Sequence, residues 1–387
     1  MLLAITSRPF SLLGAVSRPA SEAPNLTHIF QGSTDESVRL IVELQELRVK
    51  MCKSGEIAAR DLKSGSGLAR KESLEQFVLD ARGYGRRWVR FADAVCNPEM
   101  RTRRVMRELP QFAWVSSLAG EERVYVSSVV HFETVMVLWA IASASIEVAI
   151  NSSTVPELDE AQVYSHLFDA DAALGDVVEI LGEKWTRVSQ SAPAECVLHV
   201  AKFMRSLCAL AINTTYLVKH GAFFEMGDGA RSDEDGSMAS ASEAILTQCK
   251  KLIEPSSRIR ERKKEAAPVV PFEMVMRMRA FSLYAQMCAQ LAVASFTLRN
   301  SDPVRAKAYV DATGETRVMT RETGDMKAAS GGLARAFESL DGIHRRISET
   351  AVARGHGRSE QGARRVARPF SYYHDTLGKQ AWSWKDE

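Results

Sequence analysis

The chain has 387 residues, 45% hydrophobic and 25% charged, a balance that excludes a wholly disordered polypeptide. Fifty Lys and Arg against 48 Asp and Glu leave a net charge of +2, so no global field draws the protein onto nucleic acid, and any basic contact surface is local. At about 150 residues per domain, the length fits two or three units or one elongated helical domain.

The first twenty residues hold Arg8 and Arg18 and no acid before Glu22. They read as an N-terminal lead with a short strand at Leu2–Thr6, or alternatively as a mitochondrial presequence. Helical periodicity then takes over. Val38, Ile41, Leu44, Leu47 and Met51 form one stripe within a helix over Glu36–Lys53. Leu74, Phe77, Val78, Ala81, Tyr84, Trp88 and Phe91 repeat the pattern, predicting a second helix over Glu72–Val95. Pro98 and Pro110 break the segment that follows.

Glu121–Ile150 contains neither Pro nor Gly. Its β-branched start, Val124–Val130, would suit a strand by itself, but the length favours one long helix, apolar nearly all round and so buried on several sides. Thr134–Ile146 is the most apolar stretch, and Glu133 and Glu147 bracket it, which marks a core helix and not a membrane span. Asp159–Trp185 carries Val163, Leu167, Ala170, Leu174, Val177, Leu181 and Trp185 on one face, and Ala194–His220 carries Val197, Ala201, Met204, Cys208 and Ala211.

Gly227–Ser237 is a polar loop, Met238–Ile253 a short helix and Ser256–Ala267 a basic connection ahead of Pro268 and Pro271. Phe272–Leu298 and Met326–Arg354 are the last long helices, followed by an Arg/Gly-rich tail from Gly355. Long helices with interspersed Ala140, Ala142, Ala144, Ala285, Ala289 and Ala292 can approach closely in pairs, as in a helix-pair solenoid. The fold class is all-α.

The chemistry-bearing motifs are absent. There is no G-x-x-x-x-G-K-[ST], H-E-x-x-H or G-x-S-x-G, and no two histidines stand at i, i+3 or i, i+4. His131, His166 and His199 read as structural. Cys52, Cys96, Cys196, Cys208, Cys249 and Cys288 include no CxxC pair and read as buried free thiols. Asp233-Glu234-Asp235-Gly236 falls in part of a calcium-loop register, but Arg231 and Ser242 occupy positions where carboxylates are needed, so no metal is expected. Arg258, Arg260, Arg262, Lys263 and Lys264 form a basic run, read either as a solvated face or as a membrane-facing one.

Three stretches carry a resemblance. Phe112-Ala113-Trp114 precedes the central helix, within which stands Phe132-Glu133-Thr134-Val135-Met136-Val137-Leu138-Trp139-Ala140. Near the end, Phe370-Ser371-Tyr372-Tyr373-His374-Asp375 stands as a closing aromatic stretch. In motif and order this resembles the Bro-one domain family, the Alix and Brox group, over residues 5–378, with 379–387 as a short tail. Ala140 stands where the family has Asn.

The resemblance implies a boomerang-like helical domain with a tetratricopeptide-like core and a small N-terminal β element. It implies a non-enzymatic adaptor without cofactor or small-molecule substrate, cytoplasmic and peripheral on endosomal membranes, that holds the C-terminal helix of an ESCRT-III subunit in a groove. Tyr216, Leu217 and Val218, with Met238 and Ile245, match the groove region. Gly236 and Ser240 replace the aliphatic anchors, and Tyr373 is a docking tyrosine. No specific nucleic acid is expected. The competing expectation is a helical scaffold in a mitochondrial or ribonucleoprotein assembly.

Overall fold

The computed structural model describes residues 16–22, 24–32, 34–96, 105–118, 123–153, 160–219 and 303–322, and most of 287–298 and 341–353. Two compact units divide the chain. The first comprises Leu13–Arg205 with Ile259–Pro271 and Ala381–Glu387, and the second comprises Met1–Leu12, Ser206–Arg258 and Phe272–Gln380.

The first unit opens with β1 (Arg18–Pro19), the single turn α1 (Leu26–Ile29) and β2 (Phe30–Gln31), followed by α2 (Asp35–Ser64) and α3 (Gly67–Cys96). Thr34 starts α2 through a capping box. Its hydroxyl accepts from the Ser37 amide at 3.2 Å, and the Ser37 hydroxyl accepts from the Thr34 amide at 2.9 Å. Both helices run 30 residues, well past the sequence expectation for the first, because Cys52, Ser54, Gly55 and Ala58 continue its buried stripe in small residues that a search for large apolar side chains passes over. Val38 is the exception in that stripe, since it lies exposed.

Lys50–Asp80 and Glu43–Arg87 ion pairs show that α2 and α3 run antiparallel. Their close approach needs a glycine. A Cβ at Gly55 would stand 2.9 Å from the Phe77 ring.

Strands β3 (Val105–Met106), β4 (Phe112–Val115) and β5 (Val124–Ser127) come next. Antiparallel β1–β4–β5 form one small sheet and β2–β3 a ribbon. The single helix expected over Glu121–Ile150 is therefore corrected. Val124–Ser127 is a strand, because its β-branched residues pair with Phe112–Val115, and the helix begins only at Val130. The expected strand at Leu2–Thr6 lies outside the described residues, and the first described strand is β1.

Helix α4 (Val130–Ser153) is the centre of the unit. Among the described residues it is the one helix long and apolar enough to cross a membrane, yet Val130–Ala149 is wholly buried inside the fold. Helix α5 (Glu160–Glu179) packs on it and ends in a π turn, Ile180–Lys184, closed by the Trp185 amide on the Ile180 carbonyl at 2.7 Å. In the expected stripe, Val163, Leu167, Ala170, Leu174, Val177 and Leu181 are buried as the periodicity predicts, while Trp185 falls beyond the helix and is half-buried. A 3-10 turn, Ala194–Cys196, leads into α6 (Leu198–Lys219).

Two long helices thus pack on a third, as in a solenoid of helix pairs. Three polar contacts fix α3 beside α5. Lys71 meets Gln162 at 2.8 Å, Arg82 pairs with Asp169, and Asp93 meets Lys184 at 3.1 Å. The outer two contacts share an offset of 91 residues, so α3 and α5 run parallel.

The second unit takes α6 from Ser206 onward, and helix is also described there within 287–298, over α7 (Pro303–Glu322) and within 341–353. The segments within 287–298 and 341–353 fall inside the helices expected at Phe272–Leu298 and Met326–Arg354. α7 has no counterpart in the sequence reading. Pro303 stands at its first position, where a missing amide costs nothing, but Thr313, Gly314 and Thr316 interrupt its apolar pattern. The fold is predominantly helical with long helix pairs and a small β element.

Candidate functional site

The first unit contains two carboxylates sealed from water, and both bear on which parts of the chain can do chemistry. Glu133 sits one turn into α4 with its side chain fully buried. Three partners surround it. Arg48 of α2 gives its Nε at 2.9 Å, Tyr84 of α3 gives its hydroxyl at 3.0 Å and Trp114 of β4 gives its indole N–H at 2.5 Å. The neighbouring Trp88 indole donates to the Thr134 hydroxyl at 3.1 Å.

Arg48 is buried too, and its Nη1 donates to the carbonyls of Ser21 and Glu22 at 3.0 and 2.9 Å. Burial, the largest influence, pulls the guanidinium pKa down, but the charge and hydrogen bond of Glu133 together with Tyr84 and Cys52 outweigh it and raise it. Burial foremost, with Glu133 behind it, pushes the Tyr84 phenol far above its ordinary range. A cation and an anion so enclosed would each be costly alone, and together they satisfy most of each other's needs. Arg48 Nη2 has no hydrogen-bond partner among the described residues.

Glu195, in the 3-10 turn, is the second buried carboxylate. It accepts from the hydroxyls of Ser17 (3.0 Å) and Ser116 (2.8 Å) and from the amides of Ser117 (2.8 Å) and Leu118 (3.3 Å). Its own carbonyl accepts from the Trp139 indole at 2.7 Å. Burial raises the Glu195 pKa against the pull of these donors.

Neither carboxylate has a free lone pair facing solvent, so these groups fasten elements together and offer no acid or base to a substrate. Among the described residues no group of three or more His, Cys, Asp or Glu side chains is placed to hold a metal ion. Cys52, Cys196 and Cys208 are buried free thiols and Cys96 is half-buried, while Cys249 and Cys288 lie outside the described residues. Burial raises the thiol pKa of Cys52 and, further, of Cys196.

His166 lies in the seam between α3 and α5. Burial, then Arg82 and Lys71, lowers its pKa to about 4, so the ring is neutral near pH 7. The expectation of a satisfied structural histidine is corrected at one atom, since its Nδ1 has no partner among the described residues.

Of the expected groove residues, Tyr216, Leu217 and Val218 occupy the C-terminal turn of α6, and their side chains lie outside the described residues. Met238, Ile245, the basic run Arg258, Arg260, Arg262, Lys263 and Lys264, and the docking tyrosine Tyr373 also lie outside them. The centre around Glu133 explains instead why the first two stretches of the resemblance belong together, since Trp114 of one hydrogen-bonds Glu133 of the other, while the closing stretch Phe370–Asp375 lies outside the described residues. Sequence reasoning missed Arg48 and Glu195. The signal was present in both cases, as a charge set among Leu44, Leu47 and Met51 and an acid set between Ala194 and Cys196.

No protein-family model and no curated protein matches the sequence. Solved structures do match the fold. An ALIX BRO1 domain in complex with CHMP4C superposes with a TM-score of 0.51 at 12% identity, covering 96% of this chain and 98% of that one. ALIX in complex with the SIVmac239 PYKEVTEDL late domain gives a TM-score of 0.53 at 12% identity over 96% of this chain, which spans 50% of that longer one. A Bro1 domain structure that addresses endosomal targeting gives 0.48 at 12% identity, covering 89% and 85%. The protein therefore has a fold similar to the Bro1 domain at low sequence identity.

Proposed function

We propose that this chain is a non-enzymatic adaptor of the Bro1 type that takes the amphipathic C-terminal helix of an ESCRT-III subunit into a groove between its helices and acts in endosomal sorting or membrane remodelling. The observation that carries this reading is the likeness of fold to an ALIX BRO1 domain solved with CHMP4C, over nearly the whole length of both chains. The aromatic-x-Trp entry and the Glu-x-x-x-Val-Leu-Trp central helix support it, because the structure joins them at one buried hydrogen bond.

In this reading Tyr216, Leu217 and Val218 of α6, with Met238 and Ile245, receive the apolar side chains that the ligand helix presents at i, i+3 and i+4. Gly236 and Ser240 at the anchor positions leave fewer apolar contacts, so the affinity is modest. In the same reading the basic run Arg258, Arg260, Arg262, Lys263 and Lys264 meets an anionic membrane, each charge contributing about 1 kcal/mol near such a surface, and the protein works peripherally on endosomal membranes. Tyr373 is a docking position outside the groove.

The test is calorimetric titration of the full chain with the C-terminal helices of the ESCRT-III subunits of its own cell, alongside Tyr216→Asp. Micromolar binding that the variant abolishes establishes the groove. A folded protein that binds none of these helices removes the adaptor reading, and the helical scaffold of a mitochondrial or ribonucleoprotein assembly takes its place.

A further inference from the structure

Residues 16–22 do more than enter the fold. Val16, Ser17 and Pro19 are buried. The Ser17 amide donates to the Ser143 hydroxyl of α4 at 3.2 Å, and its hydroxyl donates into the Glu195 carboxylate. Arg18 and Pro19 pair with Val115 and Trp114, and the Ala20 amide continues the ladder onto the Ala113 carbonyl at 2.8 Å. The Cys52 thiol lies 3.9 Å from the Pro19 carbonyl oxygen. The carbonyls of Ser21 and Glu22 then take both hydrogen bonds of Arg48 Nη1.

One strap of seven residues thus supplies partners to both buried carboxylate centres, directly to Glu195 and through Arg48 to Glu133. Without it, a fully buried guanidinium would lose both of its carbonyl acceptors, and Glu195 would lose its Ser17 donor while the sheet lost β1. Buried charges and polar groups stripped of partners are among the most destabilising changes a fold can suffer.

We propose that Val16–Glu22 is a lock on the first unit and that any proteolytic removal of a leading segment, however the protein is targeted, ends upstream of Val16. A basic leader cut near residue 20, the presequence expectation, would take the lock with it. Arg18, one of the two arginines that gave the N-terminus its presequence character, is a strand residue of the mature fold.

The proposal is tested on the protein purified from its own cells, by mass-spectrometric mapping of the native N-terminus. A start at or before residue 16 is expected, and a folded native protein starting at residue 17 or later overturns the proposal. Recombinant chains read the same lock directly. One starting at Val16 is expected to melt with the full-length chain, and one starting at Asn25 is expected to melt about 10 °C or more lower. Equal melting of the Asn25 chain and the full-length chain overturns the proposal. Should the Asn25 chain be insoluble, Ser17→Ala in the full chain decides, since an unchanged midpoint there also overturns it. None of these measurements depends on which helix, if any, the groove binds.

Discussion

The indole nitrogen of Trp114 stands 2.5 Å from Oε2 of Glu133, joining the small sheet to the central helix across 19 residues of chain. Arg48 and Tyr84 complete the carboxylate's shell from two further helices, so one acid positions four elements at once. That arrangement predicts unequal effects at its members. Glu133→Gln leaves the buried Arg48 without a counter-charge and is expected to cost about 3–5 kcal/mol. Trp114→Phe removes one hydrogen bond to a charged group while keeping an aromatic ring, and is expected to cost about 1.5–3 kcal/mol. Urea denaturation of the two variants checks the order, and equal losses would mean that the ion pair does not dominate.

At Glu195 the decisive groups are donors. Glu195→Ala takes the shared acceptor from the buried Ser17 and Ser116 hydroxyls and leaves the Ser117 and Leu118 amides only the Ser17 and Ser116 hydroxyl oxygens, and is expected to cost about 2–4 kcal/mol. Glu195→Gln keeps an acceptor in place and, because burial disfavours the charge, is expected to cost clearly less. Denaturation midpoints at neutral pH separate the two.

His166 predicts a pH dependence with a definite sign. Its folded pKa of about 4 lies below the ordinary 6.5, so the unfolded chain binds the proton more readily over that interval. Stability is therefore lost as pH falls from about 6.5 towards 4, by on the order of 2–3 kcal/mol from this group. His166→Gln is expected to flatten that part of the profile. An NMR titration of the wild-type ring should show a midpoint near 4, and one near 6.5 would contradict the placement of His166 beside Arg82 and Lys71.

Gly55 sets two helix effects against each other. Ala is the better helix former by about 1 kcal/mol, yet its methyl group would press on the Phe77 ring at 2.9 Å. Overpacking of this kind costs about 1–3 kcal/mol. Gly55→Ala is expected to destabilise, and adding Phe77→Leu is expected to recover part of the loss. Thermal melts of the single and double variants measure both.

Apolar spacing made the helical frame legible. Leu74 through Phe91 and Val163 through Leu181 are buried where the 3.6-residue period puts them, because each stripe has a neighbouring helix to meet. Val124–Ser127 was misread since a strand of four residues and the first turn of a long helix look alike without knowledge of the partner strand Phe112–Val115, about ten residues upstream. α7 was missed because Thr and Gly dilute its periodicity, and the last turns of α2 because small residues line its contact with α3. The buried charges were legible only as anomalies. Arg48 and Glu195 look like flaws in apolar runs until Glu133 and Ser17, 85 and 178 residues away, are brought beside them.

Those separations also set a timetable for synthesis. Ser17 leaves the ribosome long before Glu195, and at about 5–20 residues per second the wait is roughly 10–40 s. Within that interval, until β4 and α4 have been made, Val16, Pro19 and the faces of α2 and α3 meant for α4 have nothing to close against. The nascent protein is thus most exposed to aggregation before its midpoint is translated, and a factor that shelters the first hundred residues would serve it better than one that acts on the finished chain.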